Sequence, residues 1–377
     1  MAPWDTTRLF APPTVRFLEK NGPIRSIRFP NEPYRGKPSS VFAYLGVPGS
    51  ATRDEPVPGM VCVHGGGGRA YEKWVRQWVQ RGYAAISMDL AGHGPDERPL
   101  PNGGPAQFQA AKFATDAPWE DMWTYHAVAA VLRAHGILRA QDGVDRDRIG
   151  ITGISWGGYL TCIAAGIDPR FRCAVPVYGC GFLQRGSAEG WMELFAQMAP
   201  ARRRWWHEHC DPSMYLPEAR CPMLFVSGTN DQAYPLPILR DSAALPRGPV
   251  SLCIRVGMPH GHEAGWAPRE IELFADEHLR SGRPLPRIGA PGRDGDRVWA
   301  AVKPEAPLAH ARLVYTPDRG PWTGRTWVET GAPVEGGRVR ATLPAAATAY
   351  YLGIEDDRGA FVSCPHEELA VPAKGRA

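Results

Sequence analysis

No stretch of the 377 residues reaches the roughly 18 consecutive apolar residues that a membrane-spanning helix requires, which excludes a helical membrane protein. The opening Met1-Ala2-Pro3-Trp4-Asp5 lacks the basic and apolar regions of a signal peptide, so the compartment stays open: cytoplasmic as the sequence is written, secreted or periplasmic if a leader has been removed. Charge of one sign is scarce. The 43 basic and 39 acidic residues leave a net charge of +4, spread along the chain, and no nucleic-acid partner is expected. The one dense basic run, Arg202-Arg203-Arg204 beside Trp205-Trp206, reads as the solvated rim of a surface segment. The eight cysteines (Cys62, Cys162, Cys173, Cys180, Cys210, Cys221, Cys253, Cys364) contain no C-x-x-C and no zinc-like spacing, so no metal site is expected. Cys62 and Cys253 fall in apolar runs that suit small buried side chains, and a disulfide among Cys180, Cys210 and Cys221 has no support in their spacing. Internal repeats and low-complexity tracts are absent. What remains is an ordinary globular composition, 44% hydrophobic and 22% charged, in a chain long enough for about two domains.

Within that composition the clearest pattern is alternation. Residues 24–29 and 41–47 read as strands separated by the turn-rich Pro30-Asn31-Glu32-Pro33 and Gly36-Lys37-Pro38, and they are expected to pair as a leading hairpin. Short apolar strands at 60–63, 83–90, 148–152, 173–177, 223–227 and 251–256 then alternate with helices at 71–80, 119–135, after Ser155, at 237–244 and at 268–280. This predicts an α/β fold, a mostly parallel twisted sheet with helices on both faces. Between Tyr178 and Pro222 the alternation breaks in a segment rich in aromatics, expected to form an insertion over the site at about 179–221. After Gly282, Pro284, Pro286 and Pro291 mark a linker. The alternating runs 311–315, 326–329, 339–343, 349–354 and 360–363 predict a small β-sandwich, dividing the chain into 1–282 and 283–377.

The chemistry gathers at loops that follow predicted strands. Gly153-Ile154-Ser155-Trp156-Gly157-Gly158 is a G-x-S-x-G-G motif, whose glycines permit a sharp strand-to-helix turn that lifts the Ser155 hydroxyl out as a nucleophile. A serine hydroxyl reacts only when a base takes its proton, and the base needs an orienting acid. On such a sheet these follow in the order serine, acid, histidine. Asp231, in Gly228-Thr229-Asn230-Asp231, follows the strand at 223–227, and Pro259-His260-Gly261-His262-Glu263 follows the strand at 251–256. The base is His260 or His262; nearness to the strand end and the following glycine favour His260, which leaves the other beside the substrate or behind the reacting groups. The cluster His64-Gly65-Gly66-Gly67-Gly68 offers backbone N–H donors to an oxyanion, each worth roughly 3 to 4 kcal/mol of barrier. Gly66 and Trp156 are the expected donors, with Gly65 and Gly67 as the adjoining alternatives. Neither G-x-G-x-x-G nor a Walker lysine follows the cluster, so no nucleotide is expected, and the chemistry needs no cofactor.

In this order the motifs resemble the α/β-hydrolase superfamily, and within it the branch of acetyl xylan esterases, dienelactone hydrolases and prolyl-oligopeptidase-like catalytic domains, over about residues 40–282. The resemblance implies an α/β-hydrolase fold and a serine hydrolase, with Ser155 as nucleophile, Asp231 as acid, His260 or His262 as base, and Trp156 with one glycine as oxyanion donors. The doubled histidine departs from the pattern. Tyr159 completes the peptidase-like form of the motif, but such peptidases carry a β-propeller that roughly 55 preceding residues do not build. A dienelactone hydrolase places cysteine where Ser155 stands. A carboxylesterase is therefore expected, with Tyr159 beside the substrate, Trp191, Trp205, Trp206 and Tyr215 as flat surface for sugar rings or aromatic acyl groups, and Arg202–Arg204 suited to acidic sugars. The competing reading is that most of these aromatics hold the insertion onto the sheet. The trailing sandwich resembles accessory modules of polysaccharide-degrading enzymes. The expected activity is acetyl xylan esterase-like deacetylation of a small-molecule or oligosaccharide ester; the alternatives are a peptidase or a non-catalytic binding protein on this scaffold.

Overall fold

The computed structural model describes residues 3–303 and 307–370. Residues 1, 2, 304–306 and 371–377 lie outside the described residues, and with them the first two residues of the leader reading and parts of the 283–377 span. Nine strands build the main body: β1 (Arg16–Asn21), β2 (Ile24–Pro30), β3 (Ser40–Gly46), β4 (Val57–Val63), β5 (Ala84–Met88), β6 (Val144–Ile154), β7 (Cys173–Val177), β8 (Met223–Gly228) and β9 (Val250–Arg255). They lie side by side in the order β1-β2-β3-β5-β4-β6-β7-β8-β9. β2 and β3 pair antiparallel as the expected hairpin, with Ile24 opposite Gly46, while β4 through β9 are parallel. Every residue of β5, β7 and β8 is buried, as a parallel sheet covered on both faces requires.

Which helix covers which face follows from strand alternation. A side chain at Gly59 would meet Leu138, and one at Gly150, paired with the next residue Met60, would meet Leu279. Successive strand residues point to opposite faces, so helices Trp123–Arg139 and Arg269–Arg280 lie on opposite sides of the sheet. Residues 123–138 of the first of these are all buried. Each fully buried Val, Leu or Ile there contributes about 1.5–3 kcal/mol relative to exposure. Because β4, β6, β8 and β9 run in one direction, the loops after them share one edge of the sheet. Those loops carry the glycine cluster, Ser155, Asp231 and the histidine pair.

The C-terminal strands are β10 (Arg287–Asp294), β11 (Arg297–Lys303), β12 (Leu308–Thr316), β13 (Val328–Gly331), β14 (Val334–Glu335), β15 (Arg338–Thr342), β16 (Ala349–Asp356), β17 (Phe361–Ser363) and β18 (Glu367–Glu368). One antiparallel sheet runs β10-β11-β15-β14; the other, β17-β16-β12-β13, joins the main sheet where Ser363 pairs with Leu252 of β9. The stretch around Pro291, expected as linker, is strand. Pro291 is tolerated because β10 is an edge strand and its register slips between Ile288 and Pro291. Between β7 and β8, helices Glu189–Gln197 and Pro200–Cys210 are flanked by short helical turns at Leu183–Arg185, Pro212–Met214 and Leu216–Glu218. None of the eight cysteines is bonded to another. Among the described residues no helix is long and apolar enough to cross a membrane, and no group of three or more metal-ligating side chains forms.

Candidate active site

Ser155 stands between β6 and helix Trp156–Ile167 with φ 58° and ψ −117°, a backbone conformation costing about 1–3 kcal/mol for a residue with a side chain. Two hydrogen bonds hold the turn: Ser155 N–H donates to Val177 O at 2.8 Å, and Tyr159 N–H donates to Ser155 O at 2.9 Å. Glycine on either side is compulsory. A Cβ on Gly157 would stand 2.0 Å from Val63 O, and one on Gly153 2.2 Å from Gly157 O. The turn brings Ser155 into the lining of an open cleft of about 900 Å³, together with Gly66, Gly67, Trp156, Trp191 and His260.

Asp231 is buried beside this cleft. Its Oδ1 accepts the N–H groups of Ala233 (2.9 Å) and Tyr234 (2.7 Å), and its Oδ2 lies 2.7 Å from His260 Nδ1. With Nδ1 committed to the carboxylate, Nε2 is the ring nitrogen left for chemistry in the cleft. The His260 ring rests on Tyr178, centroids 4.4 Å apart, and the Tyr178 hydroxyl donates to Pro259 O at 2.5 Å. Tyr178 thus straps the loop that carries His260.

His262 has a different partner. Its Nε2 accepts the Gly65 N–H at 2.9 Å, so its ring proton sits on Nδ1. Burial, reinforced by the charges of His260 and Arg69, lowers its pKa to about 4, and the ring is neutral at neutral pH. His64 grips the same loop: its Nε2 accepts the Leu90 N–H at 2.9 Å and its Nδ1 bonds Gly65 O at 2.8 Å, while burial pushes its pKa down to about 3. Gln107 Nε2 also donates to Gly65 O, at 3.1 Å. Both polar groups of Gly65 are therefore consumed by the scaffold, which removes it from contact with substrate. The Gly66 N–H makes no hydrogen bond among the described residues. The Trp156 N–H, at the first helical position, has no acceptor within its helix.

Of the aromatic side chains expected beside the substrate, Trp191 lines the cleft, while Tyr159, Trp205, Trp206 and Tyr215 do not. Tyr159 is fully buried, one helical turn beyond Ser155, with its hydroxyl donating to Cys210 O. Trp206 is also fully buried, stacked on Phe113 at 5.3 Å with its Nε1 donating to Lys112 O at 2.9 Å. Trp205 stacks on His209 at 4.3 Å and meets Trp119 edge-on at 5.7 Å. These rings hold the insertion onto the body. Arg202, Arg203 and Arg204 are exposed.

Three features of the site were beyond the sequence reading: Tyr178 beneath His260, Lys112 in the cleft lining, and a wall supplied from beyond residue 282. Tyr178 had a signal, since it directly follows the strand beside the elbow strand. Pro321, Trp322 and Thr323, from the connection between β12 and β13, line the cleft. Asn230, next to Asp231, holds them: its two Nδ2 hydrogens are shared among the carbonyls of Trp322 (3.1 Å), Thr323 (3.3 Å) and Arg325 (2.7 Å). Losing bonds of this kind, each worth about 0.5–1.5 kcal/mol, frees the wall. Asn230→Ala is expected to raise KM for oligosaccharide esters by about tenfold, with a smaller change for p-nitrophenyl acetate, in steady-state kinetics.

A strained serine elbow, a histidine paired to a buried aspartate and two open backbone N–H groups stand together at the C-terminal edge of a mostly parallel sheet, an arrangement suited to a serine hydrolase, and the fold of the chain is that of the α/β-hydrolases. Within that fold its residues 32–185 match the family model of acetyl xylan esterase, and residues 114–277 match that of the prolyl oligopeptidase family. The acetyl xylan esterase from Paenibacillus sp. R4 superposes with a TM-score of 0.59 at 19% identity, covering 73% of this chain and 92% of that one. Acetyl xylan esterase 1 from Thermoanaerobacterium sp. JW/SL YS485 gives 0.58 at 16% identity, over 73% and 94%. An S-formylglutathione hydrolase from Agrobacterium tumefaciens gives 0.53 at 17%, over 70% and 99%. At these identities the likeness is one of fold. In sequence, 129 residues are 30% identical to an uncharacterised protein of Mycobacterium tuberculosis, a stretch that makes up 32% of this chain and 29% of that relative.

Proposed function

We propose that the protein is a carboxylesterase that removes acetyl groups from carbohydrate esters, with Ser155 as nucleophile, His260 as base and Asp231 as the acid that orients it. The observation that carries this reading is the 2.7 Å contact of His260 Nδ1 with Asp231, which leaves Nε2 for the cleft that Ser155 also lines. His260 Nε2 takes the Ser155 proton as Oγ bonds to the acyl carbon. The Gly66 and Trp156 N–H groups hold the oxyanion. Collapse breaks the ester C–O bond, and His260 returns the proton to the departing sugar hydroxyl. Water, deprotonated by the same nitrogen, then releases acetate and restores Ser155.

The acetyl and carbohydrate part of the proposal is supported by the match of residues 32–185 to the acetyl xylan esterase family and by an open cleft of about 900 Å³ beside Ser155. Peptide-bond hydrolysis is the second reading, supported by the match of residues 114–277 to the prolyl oligopeptidase family. A fluorophosphonate probe is expected to label Ser155, and a substrate panel separates the two readings. Acetate release from p-nitrophenyl acetate and acetylated xylo-oligosaccharides is expected, against little turnover of feruloyl esters or proline-containing amides. Turnover of the amides alone would favour the peptidase. Absence of labelling would leave a non-catalytic binding protein.

A further inference from the structure

Lys112 is a buried cation without a counter-ion among the described residues. Only 4% of its surface is accessible, yet it lines the same cleft as Ser155. Its ammonium lies over the rings of Trp156 and Trp123, 4.7 and 5.2 Å from their centroids, and makes no hydrogen bond or ion pair among the described residues. Ring faces stabilise a cation partially but do not replace an anion. Consistent with this, burial lowers the Lys112 pKa to about 8. The other groups nearby do not neutralise it. His64 is uncharged at neutral pH, and Glu189, at the start of its helix, lines the cleft from an exposed position and makes no ion pair with Lys112.

The backbone fixes this charge in place. The insertion holds Lys112 through the Trp206 bond to its carbonyl, and its neighbour Phe113 packs on Trp156 at 5.8 Å. A Cβ on Gly66 would stand 3.2 Å from Lys112 Nζ, so the ammonium lies beside the loop whose N–H is assigned to the oxyanion. Two further polar atoms of the lining are buried without partners: Ser187 Oγ, which has a proton to give, and Gln107 Oε1, which accepts one. A cation, a hydroxyl donor and an amide acceptor match a carboxylate together with a sugar hydroxyl.

We infer that the cleft is built for an acetylated acidic sugar, a uronate whose carboxylate pairs with Lys112 while its acetyl ester lies on Ser155. The inference rests on the esterase reading and narrows it to acidic carbohydrate. Lys112 then determines specificity by exchanging solvation for a charge-assisted hydrogen bond, an interaction sufficient for a preference of about tenfold or more.

The test compares O-acetylated glucuronic acid with O-acetylated glucuronamide, a neutral analogue of the same shape, by acetate release. The wild-type protein is expected to favour the acid in kcat/KM by about tenfold or more. In Lys112→Met the ratio is expected to fall to about one, mainly through KM, with part of the preference returned in Lys112→Arg. Free glucuronate binding, measured by calorimetry on wild type and Lys112→Met, needs no turnover and separates the two ideas. If no acetyl ester is cleaved but glucuronate binds through Lys112, the esterase reading fails while the anion site stands. If the wild type shows no preference, if Lys112→Met keeps it, or if that variant loses activity equally on acid and amide, the anion site is overturned.

Discussion

Replacing Ser155 with alanine is expected to lower kcat for p-nitrophenyl acetate by about 10⁶-fold, equivalent to about 8 kcal/mol of barrier. The size follows from what the hydroxyl does. Without Oγ no acyl-enzyme forms, and hydrolysis must proceed by direct attack of water, assisted only by the oxyanion donors and by binding. That assistance leaves about 10³–10⁴ over the uncatalysed reaction. The fold is expected to survive. Ser155 Oγ makes no hydrogen bond among the described residues, and alanine keeps the Cβ, so the strain at φ 58° is the same in both proteins. Thermal unfolding of the variant is therefore expected within about 2 °C of wild type, and fluorophosphonate labelling is expected to vanish. Retained activity in a folded variant would remove the serine from the mechanism.

The elbow was legible in the sequence because its constraints are local. A serine forced to positive φ needs small neighbours, and at Gly153 and Gly157 any side chain would collide with backbone at 2.2 and 2.0 Å. The parallel sheet was legible for a related reason: strands buried on both faces must read as unbroken apolar runs, as β7 and β8 do. β10 was missed because its proline and glycines signal turns, and only its place at the edge of a sheet lets it pair. The features of the site that escaped depend on contacts between distant parts of the chain. Lys112 is an ordinary lysine until Trp156 and Trp206, 44 and 94 positions away, close around it. Trp322 reaches the cleft only because Asn230 captures its loop. Tyr159 was expected at the substrate from its place beside the motif and Trp206 from its place in the aromatic insertion, whereas helix geometry turns both into the core.

The two histidines, two positions apart in one loop, are expected to differ in effect by about three orders of magnitude or more. His260→Ala is expected to lose about 10⁵–10⁶ in kcat, because among the described residues no other side chain in the cleft lining has a ring nitrogen oriented by Asp231. His262→Ala removes only the acceptor of the Gly65 N–H, which is then left unpaired next to Gly66. The cost is at most that of weakening one oxyanion donor, about 10² in kcat. His262→Gln, whose amide oxygen accepts the same bond without titrating, is expected to recover most of it. The pH dependence points the same way. The fold favours the neutral His262 ring, so its contribution is complete above its ordinary pKa of 6.5 and is lost as pH falls through about 4, when Nε2 gains a proton and can no longer accept from Gly65. As pH falls from 6.5 to about 4 the wild type is expected to lose stability in thermal unfolding that His262→Gln keeps. Equal losses in the two alanine variants would mean that the Gly65 contact belongs to the reaction itself; a larger loss at His262 would exchange the roles of base and positioning residue.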